Sequence, residues 1–337
     1  MPGLKKCDIL LSMELFLKTS PLRKGGAQMG TGAMIVADGT TSQGELTRPL
    51  EKLGSVSVAQ RMVDTFRHAG VDRIVLVSQQ ENRQALEKNT ARMGAICLSP
   101  PDVGPEQMFS LVRTGLSYLA DKCERIFIAP VDVPLFTVKT VRALMASDGQ
   151  VVNPLYEGRP GHPLLLASRL APRILAYEGG GGLRGALRRL ADRRVFLPVD
   201  DSGVLFNLAR EADVAQQLER HNRARLYPDI KVRLMREQAF FGPGVAQLLT
   251  LIDETGSVRL ACGRMGVSYS KGWKMLSVLE EETARVMVAR QQGGKNGGAA
   301  QLTPDGRALL EKFRLLESRS RALVQEVFEE LFAAQES

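Results

Sequence analysis

The sequence predicts an α/β domain with a mainly parallel sheet, followed by an α+β domain of the winged helix-turn-helix type. Short apolar runs alternate with amphipathic helical patterns through residues 32–222, as expected for strands that helices bury on both faces. Residues 256–279 then contain two helical patterns separated by a tight turn. A glycine-rich loop at 293–298 lies between two short strand patterns, which is the arrangement of a winged-helix hairpin.

Length, composition and charge limit the class of protein. The 337 residues have room for two ordinary domains, and 44% hydrophobic with 24% charged residues is typical of a globular protein. The net charge of +8 suits a polyanionic partner. Four cysteines without CxxC spacing favour a reducing, cytoplasmic location, and no apolar run has the length of a membrane span. We expect a disordered tail at 1–31, the α/β domain at 32–222 and the winged-helix and dimerisation domain at 223–337.

Strands and helices are expected to alternate along the α/β domain. The expected strands are 33–37, 73–78, 95–98, 125–129, 151–153, 163–167 and 195–199. The expected helices are 56–68, 81–92, 105–120, 137–146, 168–177, 182–191 and 211–222. Sheets of this kind bind ligands beyond the carboxyl ends of their strands, so the loops at 38–48 and 130–134 are the expected site.

The segment 130–134, PVDVP, holds a carboxylate at the end of a buried apolar strand. Asp132 either binds Mg²⁺ against a nucleotide phosphate or caps the helix that begins after Phe136. The small-residue loop after the first strand either binds phosphate through its backbone or is an ordinary strand-to-helix turn. Neither GxGxxG nor GxxxxGK[ST] occurs, which argues against a dinucleotide-type or P-loop site.

Residues 33–222 resemble the MobA/MocA-like nucleotidyltransferases, which make molybdenum cofactor dinucleotides on a Rossmann-like fold. The resemblance runs through IVADG, RPLEKLGSVSVAQRMVDTFRHAGVDRIVLVS, EQMFSLVRTGL, FIAPVDVPL, GRPGHPLLL, GGGGLRGAL and PVDDSGVLFNLAREADV. It implies that Asp132 and Asn207 hold Mg²⁺ and that Asp132 takes part in catalysis. It also implies that Ala37, Gly39 and Ser110 contact the nucleotide, which would be CTP or GTP.

The same resemblance places Arg159, Gly161 and His162 on the acceptor side, where molybdopterin would bind. The phosphate loop departs from the family pattern, which reads close to AAGxSxRMGxxK. The family's triphosphate-holding Arg corresponds to Gln43, and the Lys that stabilises the transferred phosphoryl group corresponds to Arg48. Losing one such donor typically costs ~10²–10³ in rate. Either Arg48 substitutes for the lysine in catalysis, or the domain keeps the fold with reduced transferase activity.

Capping and turn residues define the helix-turn-helix. Ser257 is a natural N-cap of the first helix, Gly266 ends that helix, and Ser268 can cap the second. The residues expected to face the core are Val258, Leu260, Ala261, Met265, Trp273, Leu276 and Leu279.

The polar face of the second helix and the wing are expected to contact DNA. The second helix of this motif enters the major groove, and basic wing residues meet phosphates. The expected DNA contacts are Ser268, Ser270, Lys271, Lys274, Arg290 and Lys295. The alternative is a winged helix that binds another protein, with the glycine loop as a flexible connection. We favour DNA because the exposed basic residues lie on one side.

The C-terminal third resembles the DNA-binding domain of the ModE family of molybdate-responsive repressors. The segments that carry the resemblance are GPGVAQLLTLIDETG, SVRLACGRMGVSYSKGWKML and RQQGGKNGGAAQLTPDGRALL. In that family a helical dimer places two winged helices on a palindromic operator. The molybdate-binding module that follows in ModE is absent from these 337 residues, so we expect any effector to be sensed elsewhere.

A long helical pattern begins at Pro304, and Ile230–Leu234 is expected to form the first strand of the winged helix. The apolar residues that recur along the long helix are Leu309, Leu310, Phe313, Leu316, Leu323, Val327 and Leu331. This helix, together with 245–252, either pairs with a second chain or packs inside its own domain, and we favour a homodimer.

Three hypotheses of function follow. The first is a cytoplasmic, dimeric DNA-binding regulator in molybdenum or tungsten metabolism whose N-terminal domain senses a nucleotide or pterin cofactor. The second is an active molybdenum cofactor cytidylyl- or guanylyltransferase that uses Asp132, Mg²⁺ and Arg48 and also binds DNA. The third is a scaffold whose two domains have both lost their ligands.

Overall fold

The computed structural model describes residues 30–37, 48–90, 93–100, 107–208, 213–223, 226–290 and 299–332. The side chains of Gln107 and Arg290 are not described. The first strand begins at Thr31, the last residue of the expected tail. Nearly all of that tail, and the predicted phosphate loop from 38 to 47, lie outside the described residues.

The N-terminal domain is built on an eight-stranded sheet. The spatial order is β10 (Arg194–Pro198), β7 (Val151–Tyr156), β9 (Leu164–Ala167), β6 (Arg125–Pro130), β1 (Thr31–Val36), β4 (Arg73–Val77) and β5 (Ile96–Leu98), with β8 (Arg159–Pro160) paired to β7. Strand β9 runs antiparallel to β6 and β7, and β8 runs antiparallel to β7. The remaining pairs are parallel, which confirms the predicted mainly parallel α/β class.

Helices cover both faces of this sheet. The helices are α1 (Val58–His68), α2 (Gln80–Asn89), α3 (Gln107–Leu119), α4 (Val138–Ala146), α5 (Ala171–Leu175), α6 (Gly182–Arg188) and α7 (Val214–Arg223). Successive residues of a strand point to opposite faces, so Met34 and Val36 pack with α3, α5 and α6. Ala33 and Ile35 pack on the other face with α1, α2 and α4. A short hairpin, β2 (Lys52–Leu53) and β3 (Val56–Ser57), leads into α1.

The C-terminal domain is a winged helix-turn-helix. It contains β11 (Leu234–Met235), β12 (Ala239–Phe241), α8 (Pro243–Thr255), α9 (Val258–Met265), α10 (Tyr269–Thr283), β13 (Val288–Arg290), β14 (Ala300–Leu302) and α11 (Pro304–Phe332). Strands β13 and β14 pair antiparallel as the predicted wing. The prediction of a first strand at Ile230–Leu234 was wrong. That strand begins at Leu234, and it pairs with β12.

The predicted caps shape the helix-turn-helix. The Ser257 hydroxyl accepts a hydrogen bond of 3.3 Å from the Leu260 amide, and the Ser268 hydroxyl accepts one of 3.2 Å from the Lys271 amide. Gly266 ends α9 with a φ of 65°, where glycine carries no steric penalty. The expected inward position of Leu260 was wrong, because that side chain is 57% exposed.

The core position on α9 is taken by Cys262, which was not among the residues expected to face the core. A Cβ at Gly272 of α10 would lie 2.2 Å from Cys262 Sγ. A side chain larger than hydrogen at position 272 would therefore push the two helices of the motif apart. Leu276 and Leu279 of α10 are fully buried as expected.

The two domains share one continuous apolar core. Leu116 and Leu119 of α3 belong to the same buried cluster as Leu248 and Ile252 of α8. None of the helices in the described part of the chain has the length and apolar character needed to cross a bilayer.

Candidate nucleotide cleft and nucleic-acid interface

The end of β6 brings Asp132 beside the segment that contains Asn207. The Val131 amide donates to the carbonyl of Val36 at 3.0 Å, which joins this turn to the end of β1. The Leu208 amide donates to the carbonyl of Asp132 at 2.9 Å. Asn207, the residue before Leu208, is therefore next to the Asp132 turn although it lies far away in sequence.

Arg48 also reaches this turn. Its Nε lies 3.5 Å from Oδ1 of Asp132, and its Nη1 lies 3.0 Å from Oε2 of Glu51. The competing interpretation of Asp132 as a helix cap was wrong. Helix α4 is capped by Thr137, whose hydroxyl accepts a hydrogen bond from the Thr140 amide.

The donor set near Asp132 fits a magnesium ion that is bound mainly by phosphates. Mg²⁺ in nucleotide sites takes one or two protein carboxylates together with phosphate oxygens and water. Asp132 offers a carboxylate and Asn207 an amide oxygen, both of the hard type that this ion prefers. Within the described ranges there is no group of three or more His, Cys, Asp and Glu side chains that could hold a metal by themselves.

The expected nucleotide contacts lie at two neighbouring places. Ala37 follows β1, is buried, and donates its amide to the carbonyl of Val77 at 2.8 Å. Ser110 lies in the first turns of α3, where its carbonyl accepts a hydrogen bond from the Thr114 hydroxyl. Gly39, the third expected contact, is outside the described residues.

The acceptor-side residues are held by the turn at 202–204. A Cβ at Gly161 would lie 2.5 Å from the carbonyl oxygen of Val204, so only glycine fits there. The next amide, that of His162, donates to the same Val204 carbonyl at 2.9 Å. Arg159 lies in the exposed hairpin of β7 and β8.

The imidazole of His162 is a neutral hydrogen-bonding group. Burial lowers its pKa to about 4, against a smaller opposing effect of a hydrogen bond to the backbone of Ile128. Its Nδ1 is buried and has no hydrogen-bond partner among the residues that the structure describes. At neutral pH the ring is therefore uncharged, and it lines the cleft described next.

A cleft of about 540 Å³ opens at the carboxyl ends of β1 and β6. Its walls are largely apolar and come from these strand ends, the start of β9, α3 and α6: Val36, Met108, Val112, Ile128, Pro130, Leu164, Leu183 and Leu187. Arg184, Arg188 and Arg194 also line it, whereas none of the described residues that line it is an aspartate or glutamate. The cleft therefore favours an organic ligand with negative charge.

Two of these arginines lie on the exposed side of α6. Arg184 and Arg188 have the helical spacing of a solvated face, and both side chains are exposed and also line the cleft. Arg194 had no expected role. It reaches the cleft because β10 pairs with β7, and its Nη2 donates to Oδ1 of Asn153 at 2.8 Å. Only the strand pairing brings these two side chains together, so the sequence carried no signal for them.

Asp201 is a second residue that sequence reasoning missed. Its carboxylate accepts hydrogen bonds from the Thr137 amide at 2.8 Å, the Thr140 hydroxyl at 2.5 Å and the Gly203 amide at 3.0 Å. Burial raises its pKa, against the opposing effect of these hydrogen bonds. Asp201 thus ties the start of α4 to the turn that supports Gly161.

The expected DNA-contacting face lies on α10. Ser270, Lys271 and Lys274 are all exposed, while the opposite side of the helix is buried. Residues three apart on a helix are neighbours, so the two lysines point to the same side. Ser268 is exposed, and its hydroxyl serves as the N-cap. The Arg290 side chain and the whole of Lys295 lie outside the described residues.

Each of the two domains is similar to known proteins. Residues 34–195 match the family model of the MobA-like NTP transferase domain. Over 83 residues the chain is 34% identical to the transcriptional regulator ModE of Haemophilus influenzae, covering 25% of this chain and 32% of that one. It is 34% identical over 87 residues to the molybdenum-pterin-binding protein MopB of Rhodobacter capsulatus, covering 26% and 32%.

A further relative is the DNA-binding transcriptional dual regulator ModE of Escherichia coli K12, with 30% identity over 82 residues, covering 24% of this chain and 31% of that one. These matches concern the C-terminal part of the chain. The chain spans about a third of the length of these relatives.

Two solved structures are similar to the N-terminal part. One is a nucleotidyl transferase from Methanothermobacter thermautotroptrophicus, with a TM-score of 0.47 and 22% identity, covering 58% of this chain and 98% of that one. The other is 4-diphosphocytidyl-2C-methyl-D-erythritol synthase from Anaerococcus prevotii, with a TM-score of 0.44 and 15% identity, covering 58% and 97%.

Proposed function

We propose that this chain, in which a MobA-like NTP transferase domain precedes a ModE-like winged helix, is a dimeric DNA-binding transcriptional regulator. The observation that carries the proposal is the face of α10 with exposed Ser270, Lys271 and Lys274. That helix starts at a serine cap and buries its other side on α9, so the lysines project from a fixed element. A second helix of this kind is the one that enters the major groove.

Selection from a random duplex library, followed by salt titration, tests the proposal. The wild type should enrich a palindromic sequence, and the logarithm of its binding constant should fall linearly with the logarithm of the salt concentration. Lys271→Ala should lower that salt slope by about 1 through loss of a phosphate contact. Lys139→Ala, which removes an exposed lysine from α4 of the other domain, is the matched control. An unchanged slope in Lys271→Ala would contradict this mode of docking.

The apolar side of α11 supports the dimeric state. Leu310 and Phe313 on its first half are buried in the winged-helix domain. Further along, Leu316, Leu323, Val327 and Leu331 are 42–63% exposed. Leu323, Val327 and Leu331 follow at intervals of four residues and so form one stripe. A second copy of this helix is the proposed cover, because a two-fold arrangement would also present two winged helices to a palindrome.

The proposed context is molybdenum or tungsten metabolism, in the cytoplasm. MopB is named a molybdenum-pterin-binding protein, the ModE of Azotobacter vinelandii is named a molybdenum transport protein, and the other half of the chain matches a MobA-like domain. We assign the sensing role to this domain, with a nucleotide or a pterin cofactor such as molybdopterin as the ligand. Titration of each compound during operator binding, in the presence of Mg²⁺, tests that assignment.

A working cytidylyl- or guanylyltransferase is the second candidate, and one observation favours it. Arg48 lies within ion-pair distance of Asp132, so a cation is available beside the proposed magnesium ligand. Mg²⁺ on Asp132 and Asn207 would neutralise phosphate charge, and Arg48 would stabilise the charge that develops in transfer. Release of pyrophosphate from CTP or GTP with molybdopterin, abolished by Asp132→Ala, would establish the activity.

A further inference from the structure

Helix α3 joins the cleft to the winged-helix domain. Near its start, Met108 and Val112 line the cleft. In its last turn, the Tyr118 hydroxyl donates a hydrogen bond to Oε1 of Glu254, a residue of α8. Thirteen helical residues span about 20 Å. One rigid element therefore touches both the ligand cleft and the DNA-binding domain.

Close packing prevents α3 from absorbing a displacement locally. A Cβ at Gly115 would lie 2.9 Å from Met34 Sδ and 3.2 Å from Val77 Cγ2, so the helix backbone is pressed against β1 and β4. Leu116 and Leu119 are fully buried in the core shared with the winged-helix domain. Protein interiors have low compressibility and transmit strain, so a shift of the cleft wall reaches the far end of α3.

Glu254 lies at the joint where the helix-turn-helix begins. Two residues later, Gly256 ends α8 with a φ of 62°, and Ser257 then caps α9. The carbonyl of Gly256 accepts a hydrogen bond of 2.8 Å from the Ala300 amide in the wing strand β14. A change in the position of Glu254 is therefore passed to both the first helix of the motif and the wing.

The contact between Tyr118 and Glu254 is polar and partly buried. Burial is the main cause that raises the pKa of both the Glu254 carboxyl and the Tyr118 phenol. A buried polar group that loses its partner typically costs about 1–3 kcal/mol. Tyr118 and Glu254 therefore keep one relative arrangement, because a displacement of one side chain without the other would break their hydrogen bond. An apolar contact would allow the two side chains to shift past each other.

We infer that occupation of the cleft controls DNA binding through α3 and the Tyr118–Glu254 contact. This inference rests on the proposed DNA binding and adds its regulation. The expected effector is an organic anion with an apolar part, because the walls are apolar and Arg184, Arg188 and Arg194 supply the charge. By thermodynamic reciprocity, DNA changes the affinity for the effector by the same factor.

A cleft-filling substitution tests the coupling without an identified effector. Met108→Trp enlarges a cleft-lining side chain that is 43% exposed and so has room for the ring. The dissociation constant for the selected duplex is measured by fluorescence anisotropy for the wild type, M108W, Y118F and the double variant. We expect M108W to change it by about 5-fold or more, the lower end of typical couplings. In the Y118F background, M108W should change the dissociation constant by less than about 2-fold, which is the usual range for two sites that are not coupled.

Two controls separate coupling from general damage. Tyr177→Phe removes a phenol that donates to the Gly180 carbonyl at 3.0 Å within the transferase domain, and the M108W effect should persist in it. Glu254→Gln keeps an acceptor for Tyr118 and should also retain the effect. Leu183→Trp fills the cleft from α6 and replaces M108W if that variant does not fold.

An equal change of affinity with and without Y118F, or no change with a folded tryptophan variant, would overturn the inference. If the wild type binds no duplex, the proposed function fails. Amide hydrogen exchange then measures the coupling between the cleft and the winged helix without DNA. Altered amide protection of residues 253–261 in M108W, but not in M108W/Y118F, supports the inference. Protection that is the same in M108W and the wild type overturns it.

Discussion

The guanidinium of Arg48 lies 3.5 Å from the carboxylate of Asp132, although the two residues follow different strands of the sheet. Their side chains are 28% and 35% exposed, so both remain open to a ligand from solution. Arg48 also pairs with Glu51 at 3.0 Å, which holds the guanidinium on this side. Any nucleotide bound here would exchange part of these contacts for contacts to its phosphates.

Removal of the Arg48 charge should weaken nucleotide binding. A hydrogen bond to a charged group is worth about 1.5–3 kcal/mol, so Arg48→Ala should raise the dissociation constant for Mg²⁺–CTP or Mg²⁺–GTP by roughly 10-fold or more. The dissociation constant of Arg48→Lys should lie between those of the wild type and Arg48→Ala, because lysine keeps the charge but lacks the planar geometry of the guanidinium. Isothermal titration calorimetry measures both. Arg83→Ala, which removes an arginine paired with Glu87 on α2, should bind as the wild type does. Equal affinities for Arg48→Ala and the wild type would remove Arg48 from the site.

The low pKa of His162 predicts a pH dependence of stability. The folded protein holds this ring neutral down to about pH 4, whereas the unfolded chain protonates it near the ordinary histidine pKa of 6.5. The unfolded state therefore binds more protons between these values, and this contribution to stability is lost as the pH falls from 6.5 to 4. The shift corresponds to a contribution on the order of 3 kcal/mol.

His162→Gln isolates that contribution. The glutamine amide can replace the hydrogen bond to the Ile128 backbone, but it does not titrate. Urea unfolding at pH 7 and pH 5 should show a smaller loss of stability for the variant than for the wild type. Identical losses in the two proteins would show that His162 is not the group responsible.

Much of the fold was predictable because its signals are local. Ser257, Gly266 and Ser268 act at the helix ends next to them, so α9 and the start of α10 could be placed from the sequence. Apolar runs likewise located every strand of the large sheet except β8. Leu260 was misplaced because spacing alone does not tell which apolar side chain of a short helix stays in water.

The cleft was harder to predict because its side chains meet only in the folded chain. Arg194 and Asn153 face each other through the pairing of β10 with β7, and no motif marks that pairing. Arg184 and Arg188 have the spacing of an exposed helix face, and only the packing of α6 beside the strand ends turns them toward a ligand. Asp132 could be singled out from the sequence because a carboxylate between two prolines after a buried strand is poorly explained as a core residue, and its role as a magnesium ligand stays a prediction.

Close contact between α9 and α10 predicts that Gly272 does not tolerate a side chain. A Cβ there would lie 2.2 Å from Cys262 Sγ, and overpacking of this kind costs about 1–3 kcal/mol. Gly272→Ala should lower the free energy of unfolding by about that amount, measured by chemical denaturation. Cys262→Ala in the same chain should restore much of the loss by removing the sulfur. Gly263→Ala is the matched control, since none of the described residues lies within 4 Å of a Cβ at that position of α9 and the change should stabilise the helix. A Gly272→Ala protein as stable as the wild type would contradict the close crossing.

The exposed stripe on α11 predicts that a single charge abolishes the proposed dimer. Leu323 is 53% exposed and Val327 is 51% exposed, and both belong to the stripe. A charge introduced there would be desolvated in a helix pair without a partner, which is strongly unfavourable. Leu323→Glu should therefore be monomeric in sedimentation equilibrium at concentrations where the wild type is a dimer.

The matched control for Leu323→Glu is Ser318→Glu. Ser318 is exposed and, five residues away, lies on a different side of α11, so this change adds the same charge outside the stripe. Ser318→Glu should remain dimeric and unfold as the wild type does. Leu323→Glu should still unfold cooperatively, because neither position lies in the core, and should lose only the stabilisation that dimerisation provides. Only a dimer can bind two half-sites at the same time. Leu323→Glu should therefore also lose its preference for the palindrome over a single half-site. A Leu323→Glu protein that still forms dimers would assign the interface to another surface and leave the stripe without its proposed partner.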